Sequence, residues 1–284
     1  MNYKRIIPRL DIKDHNLVKG INLEGLRVLG KPDFFAKIYT DEYADELLYH
    51  DTVASLFGKN FLLDMINKVA KDIFIPLNVG GGIKSLNDIE LILKAGADKV
   101  SINSEAARNP KLISDAATKF GSSTISVSVQ FIKTKNDIKV LIDNGREVTN
   151  LNIYNWLHEI QEKGAGEIIL TDIANEGTGK GPNINEIEEL IKKINIPTIY
   201  HGGIGTKEHV LNLVGIENLN GVCISSMLHY SLIRESKNNF LDEENFIGNQ
   251  EFLKNKFLFG RFESVSLKDL KLYLKNYNIE TRVN

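Results

Sequence analysis

Short apolar runs bounded by turn residues alternate along this chain with longer stretches in which apolar residues recur every three or four positions. That is the signature of strands and helices in βα succession. Eight strands are predicted: Ile6 to Asp11, Leu47 to Asp51, Ile75 to Gly80, Lys99 to Asn103, Thr124 to Gln130, Ile168 to Thr171, Pro197 to His201, and Gly221 to Ser225. Amphipathic helices are predicted between them, among them Ser85 to Ala95, Pro110 to Lys119, Ile153 to Lys163 and Asn185 to Lys193. Eight alternating units argue for closure into a (β/α)8 TIM barrel rather than an open sheet. The 284 residues suit a single barrel domain spanning residues 1–284, since such barrels take about 250 residues.

An internal repeat sharpens the picture. Ile75-Pro76-Leu77-Asn78-Val79-Gly80-Gly81-Gly82-Ile83 echoes Ile196-Pro197-Thr198-Ile199-Tyr200-His201-Gly202-Gly203-Ile204 at a spacing of 121 residues. Val100-Ser101-Ile102-Asn103-Ser104 lines up in the same way with Val222-Cys223-Ile224-Ser225-Ser226. The chain therefore reads as two fused half-barrels. The regularity breaks at residues 231–261, an insertion between the eighth strand and a final helix at Leu267 to Asn276. Phe240, Phe246, Phe252, Phe257 and Phe259 make it too aromatic for a solvated linker. It is expected to leave from the C-terminal rim and to act there as a cover or docking arm.

Composition narrows the chemistry. A formal charge of -2 gives no electrostatic case for nucleic acid. The single cysteine, Cys223, excludes a disulfide framework and a CxxC metal site, and it fits a reducing cytoplasm. No signal peptide or membrane span is expected. Partners are expected to be small molecules or proteins, and neither metal nor cofactor is called for.

The candidate chemistry starts at the glycine pairs. Gly81-Gly82 and Gly202-Gly203 each follow a strand, and Asn103-Ser104 or Ser225-Ser226 follows one strand later. Glycine lets the backbone approach an anion, and backbone amides with small polar side chains donate to phosphate oxygens. A lone pair is equally well a tight βα turn. Two copies related by the repeat point to two phosphate cradles on opposite sides of one rim, the spacing of a bisphosphate.

Several segments together resemble the cyclase subunit of imidazole glycerol phosphate synthase. They are Lys4-Arg5-Ile6-Ile7-Pro8-Arg9-Leu10-Asp11-Ile12-Lys13, Val18-Lys19-Gly20, Ala44-Asp45-Glu46-Leu47, Val79-Gly80-Gly81-Gly82-Ile83, Ala95-Gly96-Ala97-Asp98-Lys99-Val100-Ser101-Ile102-Asn103, Gly164-Ala165-Gly166-Glu167-Ile168 and Glu176-Gly177-Thr178. The resemblance implies a barrel of the histidine-biosynthetic phosphate-binding type. It also implies a HisH-like glutaminase subunit that supplies ammonia through the lumen, and an ammonia-using step on a phosphorylated substrate. It places Lys19 and Gly177 with the two cradles in the substrate site, Asp11 as one acid-base aspartate, and Gln130 where a second aspartate is expected. Arg5, Glu46, Lys99 and Glu167, at or just before four strand starts, match the ammonia gate, and Asp98 matches a residue of the glutaminase interface. On an unknown barrel the four charges would read as a stabilising ring. Inward-facing Asn78, Ser101, Ser126 and Ser128 make a lumen that ammonia could cross.

Gln130 cannot hand over a proton near neutral pH. Arg9, two residues before Asp11, is expected to point into the lumen and pair with Asp11 or Gln130. His201 and Tyr200 are expected to bring bulk and polarity to the seventh strand end. An intact entry side with an altered chemical side suggests a diverged paralogue that sends ammonia elsewhere. By analogy the destination is sugar amidation or amidination in a surface-polysaccharide pathway, with a third, ammonia-using protein. The alternatives are an authentic cyclase in histidine biosynthesis and a non-catalytic scaffold that activates a glutaminase.

Overall fold

The structure is a computed structural model, and it describes residues 3–53, 60–135, 137–238 and 261–283. Among the described residues, twelve strands form one sheet. Eight of them are parallel and close on themselves: β1 (Arg5–Lys13), β4 (Leu47–Asp51), β5 (Leu77–Gly80), β6 (Lys99–Ile102), β7 (Ile125–Lys133), β10 (Glu167–Asp172), β11 (Thr198–His201) and β12 (Gly221–Ile224). Closure runs through β7 to β10, with Ser126 opposite Glu167 and Gln130 opposite Thr171. The (β/α)8 barrel expected from the sequence is therefore present, with strand edges shifted by at most three residues.

The pattern did not reveal four strands. β2 (Asn16–Ile21) and β3 (Glu24–Gly30) form an antiparallel hairpin off the end of β1, and β8 (Ile138–Ile142) and β9 (Glu147–Asn152) form its counterpart off β7. β1 and β7 are each nine residues long and each overshoot the rim, so the half-barrel repeat extends to strands one and five. Asn22 and Leu23 join β2 to β3, both with positive φ (54° and 62°), the geometry of a tight two-residue hairpin turn.

Helices pack outside the barrel, and a continuous apolar layer fills the space between. A second, smaller apolar cluster lies in the lumen: Ile7, Leu48, Ile169, Ile199 and Cys223. Side-chain caps fix several helix starts: Ser85 accepts from Asp88 N, Asn152 from Tyr154 N, and Ser266 from Asp269 N.

The expected insertion needs a correction at its start. Residues 231–238 continue the helix Ser226–Asn238 that begins directly after β12, so they belong to the barrel's helical layer. Residues 239–260, with the five phenylalanines, lie outside the described residues. The chain is described again from Arg261, where Glu263 N donates to Gly205 O (2.8 Å) just beyond β11. Phe262 packs against Tyr230 with the rings tilted and their centroids 5.2 Å apart. The returning segment is thus seated at the C-terminal end of the barrel.

Candidate active site

At the N-terminal end of the strands the four charged residues meet. Arg5 Nη1 lies 2.9 Å from Glu46 Oε2, and its Nη2 lies 2.5 Å from Glu167 Oε1. Lys99 Nζ completes the circuit, 3.0 Å from Glu46 and 3.4 Å from Glu167. Charges alternate around this ring, so each ion touches two of opposite sign. The carboxylates are almost fully buried and the cations about one-fifth exposed. A buried carboxylate held by two cations is stable in place, whereas one left with a single partner is costly. Asp98 stands beside Lys99, exposed, with its carboxylate accepting from Leu77 N (2.8 Å). Phe74, in the loop ahead of β5 on the same face, is 91% exposed.

Above the ring the lumen has two kinds of wall. The Ile7 cluster lines one side. On the other, Asn78 Nδ2 donates to Ser126 Oγ (3.2 Å) and Glu46 Oε1 (3.3 Å), and Ser101 Oγ donates to Asn78 Oδ1 (2.7 Å). Small polar side chains therefore continue upward from the ring, as the alternation of inward-facing positions predicts.

The C-terminal end of the lumen holds a buried ionic network. Arg9 Nε donates to Asp11 Oδ1 (2.8 Å), and Lys19 Nζ reaches Asp11 Oδ2 (2.8 Å) from β2. Lys19 also pairs with Glu176, in the loop after β10. All four side chains are buried, two positive and two negative. Burial alone would raise the Asp11 pKa, but Arg9 and Lys19 outweigh it and hold the carboxyl well below its usual range. Burial likewise works against ionised Glu176, and Lys19 reverses the balance. Asp11 is therefore held as a carboxylate between two cations. Arg9 found the Asp11 partner expected of it, and Gln130 Oε1 is left without one.

His201 stands beside this network. Its Nδ1 lies 2.9 Å from Cys223 O, which fixes the proton on Nδ1 and leaves Nε2 facing Glu176 Oε1 at 3.4 Å without a hydrogen bond. Burial and the nearby Arg9 lower its pKa and keep the ring neutral. Tyr200, by contrast, has the opposite strand parity and packs in the outer apolar layer, away from the lumen. The expectation that it adds polarity to the mouth is wrong for that reason.

The two glycine cradles open onto different spaces. Gly81 and Gly82 have positive φ (107° and 63°), and a Cβ on Gly81 would collide with the Asp51 carbonyl. With Asn103 and Ser104 they line an open cavity of about 520 Å³ that also takes in Gln130, His50 and the β8–β9 turn. Gly202, Gly203, Ser225 and Ser226 line a cavity of only about 10 Å³, together with Gly177, Glu176 and His201. Lys19, placed with the substrate site from the sequence, is committed to its two carboxylates.

Among the described residues, the buried side-chain atoms without a hydrogen-bond partner are Arg9 Nη2, Gln130 Oε1, Thr171 Oγ1, His201 Nε2 and both amide atoms of Asn144. All belong to the C-terminal end of the lumen or to the hairpin over it. Unsatisfied buried polar atoms are rare in folded proteins, and a cluster of them marks a place built for a ligand or water. His50, which the sequence reading missed, faces the same space beside Gly80, and burial with Arg9 nearby lowers its pKa to about 3. Its signal was the alternation along β4, which puts His50 on the face of Glu46 and Leu48. Glu176 appeared only as part of a motif. Its pairing with Lys19 crosses 157 positions and had no local signal.

Barrel, half-barrel repeat, charged floor and glycine-lined rim define the class, and sequence comparison agrees with it. The family described as histidine biosynthesis protein matches residues 5–234, and the chain belongs to that family. Within it, the chain is similar to imidazole glycerol phosphate synthase subunit HisF from Legionella pneumophila, at 47% identity over 73% of this chain and 99% of the relative. The HisF subunit of Campylobacter concisus is 42% identical over 82% of this chain and 92% of its own length. That of a Hydrogenobaculum species is 38% identical over 99% of both.

Proposed function

We propose that this protein is the ammonia-using subunit of a glutamine amidotransferase complex. A glutaminase subunit docks on the N-terminal face, around Asp98 and Phe74. Ammonia passes the ring of Arg5, Glu46, Lys99 and Glu167, rises along the polar lumen wall, and meets its acceptor at the C-terminal rim. The observation that carries this reading is the closed ring beneath a partly polar lumen that ends in unpartnered polar atoms. Residues Gly81, Gly82, Asn103, Ser104, Gly177, Gly202, Gly203, Ser225 and Ser226 are the proposed ligand-facing set, with Lys19 a positioning residue.

The rim chemistry favours an acceptor other than the family's ribulosyl-aminoimidazole carboxamide bisphosphate. Ring closure on that substrate calls for two acid-base aspartates. Here Gln130 carries no transferable proton, and Asp11 is locked between Arg9 and Lys19. A sugar in a surface-polysaccharide pathway, amidated with a third protein, rests on analogy alone. The second reading is an authentic cyclase, favoured by identities of 38–47% to HisF subunits. Gel filtration of this chain with its cognate glutaminase, followed by rates with glutamine and with ammonium salt on the bisphosphate, separates the two. Complex formation with little turnover supports divergence, and family-level turnover supports the cyclase. Absence of a complex removes the amidotransferase reading.

A further inference from the structure

We infer that four side chains at the C-terminal end of the lumen, Arg9, Gln130, Thr171 and His201, form a holding site for one molecule of neutral ammonia and turn the ammonium ion away. The inference rests on reading the lumen as an ammonia path. It adds a place where the ammonia stops and the protonation state in which it does so.

The barrel's register brings the four together. Gln130 of β7 lies opposite Thr171 of β10, and Thr171 lies opposite His201 of β11. Arg9, Thr171 and His201 each stand two residues beyond a member of the apolar lumen cluster, Ile7, Ile169 and Ile199, so strand alternation turns them inward one layer higher. Gln130 shares the face of Ser126, whose Oγ meets Asn78 in the lumen. Arg9 reaches across from β1 with its Nε held by Asp11, and its charge acts on His201, Glu176 and Cys223, the groups around the imidazole.

These side chains are at most 3% exposed, and each has one polar atom without a hydrogen-bond partner: Arg9 Nη2, Gln130 Oε1, Thr171 Oγ1 and His201 Nε2. Such atoms are costly to leave unpaired, and a single small molecule among them removes the cost. Their roles select the molecule. Arg9 Nη2 can only donate and Gln130 Oε1 can only accept. His201 donates from Nδ1 to Cys223 O, so Nε2 presents a lone pair, and the Thr171 hydroxyl takes either role.

Ammonia has three N–H groups for Gln130, His201 and Thr171, and one lone pair to accept from Arg9. Water fits the same place once Thr171 turns to donate, so it fills the site until ammonia arrives. The ammonium ion has no lone pair and would meet Arg9 donor to donor. Charge works against it too. Arg9 and Lys19 already balance Asp11 and Glu176, while His201 and His50 are neutral, so an ammonium ion would be an unpaired buried charge. The form retained is the nucleophilic one, which is the form an acceptor at the rim requires.

The test is an NMR titration of the full chain, labelled with nitrogen-15 at histidine, in which His201 Nε2 is followed and assigned with His201→Gln. Ammonium chloride is added at about pH 6.5 and at about pH 8.5, each against sodium chloride of equal concentration. The step in pH raises neutral ammonia roughly a hundredfold at constant total ammonium. The Nε2 resonance should shift with ammonium chloride alone, and the midpoint in total ammonium should fall by roughly the same factor at the higher pH. Thr171→Val, which keeps the side-chain shape and removes one partner, should weaken the response by about three- to tenfold. Equal midpoints at the two pH values would mean that the cation binds, and no shift beyond that of sodium chloride would mean that neither form does; each result overturns the inference. An unchanged midpoint in Thr171→Val overturns the assignment to these four residues. Glutaminase association is measured on the opposite face: a complex without an ammonia response overturns this inference alone. An ammonia response without a complex supports the holding site and removes the amidotransferase reading.

Discussion

His229 offers a sharp test of the buried polar architecture. The residue lies on the helix after β12, fully buried, with Nδ1 2.7 Å from Tyr39 Oη and Nε2 2.9 Å from the carbonyl of Arg9. Only one neutral tautomer satisfies both contacts: Tyr39 O–H donates to Nδ1, and Nε2–H donates to Arg9 O. A second proton would evict the Tyr39 donor, and burial lowers the folded pKa to about 3. The unfolded chain titrates near the usual 6.5. Because the folded pKa is the lower one, the unfolded state binds the extra proton first, so stability is highest above pH 6.5 and falls as pH drops towards 3. Between pH 6 and pH 5 the loss approaches about 1.4 kcal/mol per pH unit for this residue. His50, also with a folded pKa of about 3, adds a similar amount. Buried carboxyls raised by desolvation, such as Glu42 and Asp172, act in the other direction. The comparison should therefore be with His229→Gln, whose amide can accept from Tyr39 and donate to Arg9 O without titrating. Urea unfolding at pH 7, 6 and 5, with unchanged m-values, should show the variant losing about 1 kcal/mol less than the parent between pH 6 and 5. Equal losses in the two proteins would refute the neutral-tautomer argument.

Three further outcomes are expected. Lys99→Met leaves Glu46 and Glu167 facing each other with Arg5 alone, and a urea titration should show a loss of about 1–3 kcal/mol; an unchanged midpoint would mean that the ring is only loosely coupled. Phe74→Asp should weaken glutaminase association by about 10- to 100-fold in calorimetry while leaving the melting curve intact, since burying a phenylalanine contributes about 1.5–3 kcal/mol; unchanged affinity would place the partner elsewhere. Gln130→Asp alone should restore little turnover on the family bisphosphate because Asp11 stays locked, and the double variant with Arg9→Ala should exceed it; equal rates in the two would show that Arg9 does not restrain Asp11.

Some of this was legible in the sequence and some was not. The eight barrel strands could be read because parallel strands buried on both faces are short apolar runs with clear turn boundaries. The hairpins β2–β3 and β8–β9 escaped because their strands are partly exposed and mixed in character, with Glu24, Arg27, Glu147 and Asn150 inside them. Their turn residues, Asn22, Asp143 and Asn144, were visible and went unused. The floor ring was found because all four charges sit at strand starts, where a barrel brings them together whatever the loops do. The lock on Asp11 was half visible: Arg9 shares its strand face, whereas Lys19 arrives on a hairpin that the pattern did not predict. The lining of the second cradle by His201 and Glu176 could not be foreseen from the glycine motifs, which are near copies.

The proposed function has ammonia reaching a rim that we propose is no longer equipped for the family's ring closure. Its most direct measurement is the initial rate of the purified chain on ribulosyl-aminoimidazole carboxamide bisphosphate with saturating ammonium salt, beside a HisF subunit from a relative under the same conditions. With Gln130 in place of a proton donor and Asp11 held by Arg9 and Lys19, the rate should be lower by at least about 10²-fold. A rate within tenfold of the relative would contradict the account and make the chain an authentic cyclase.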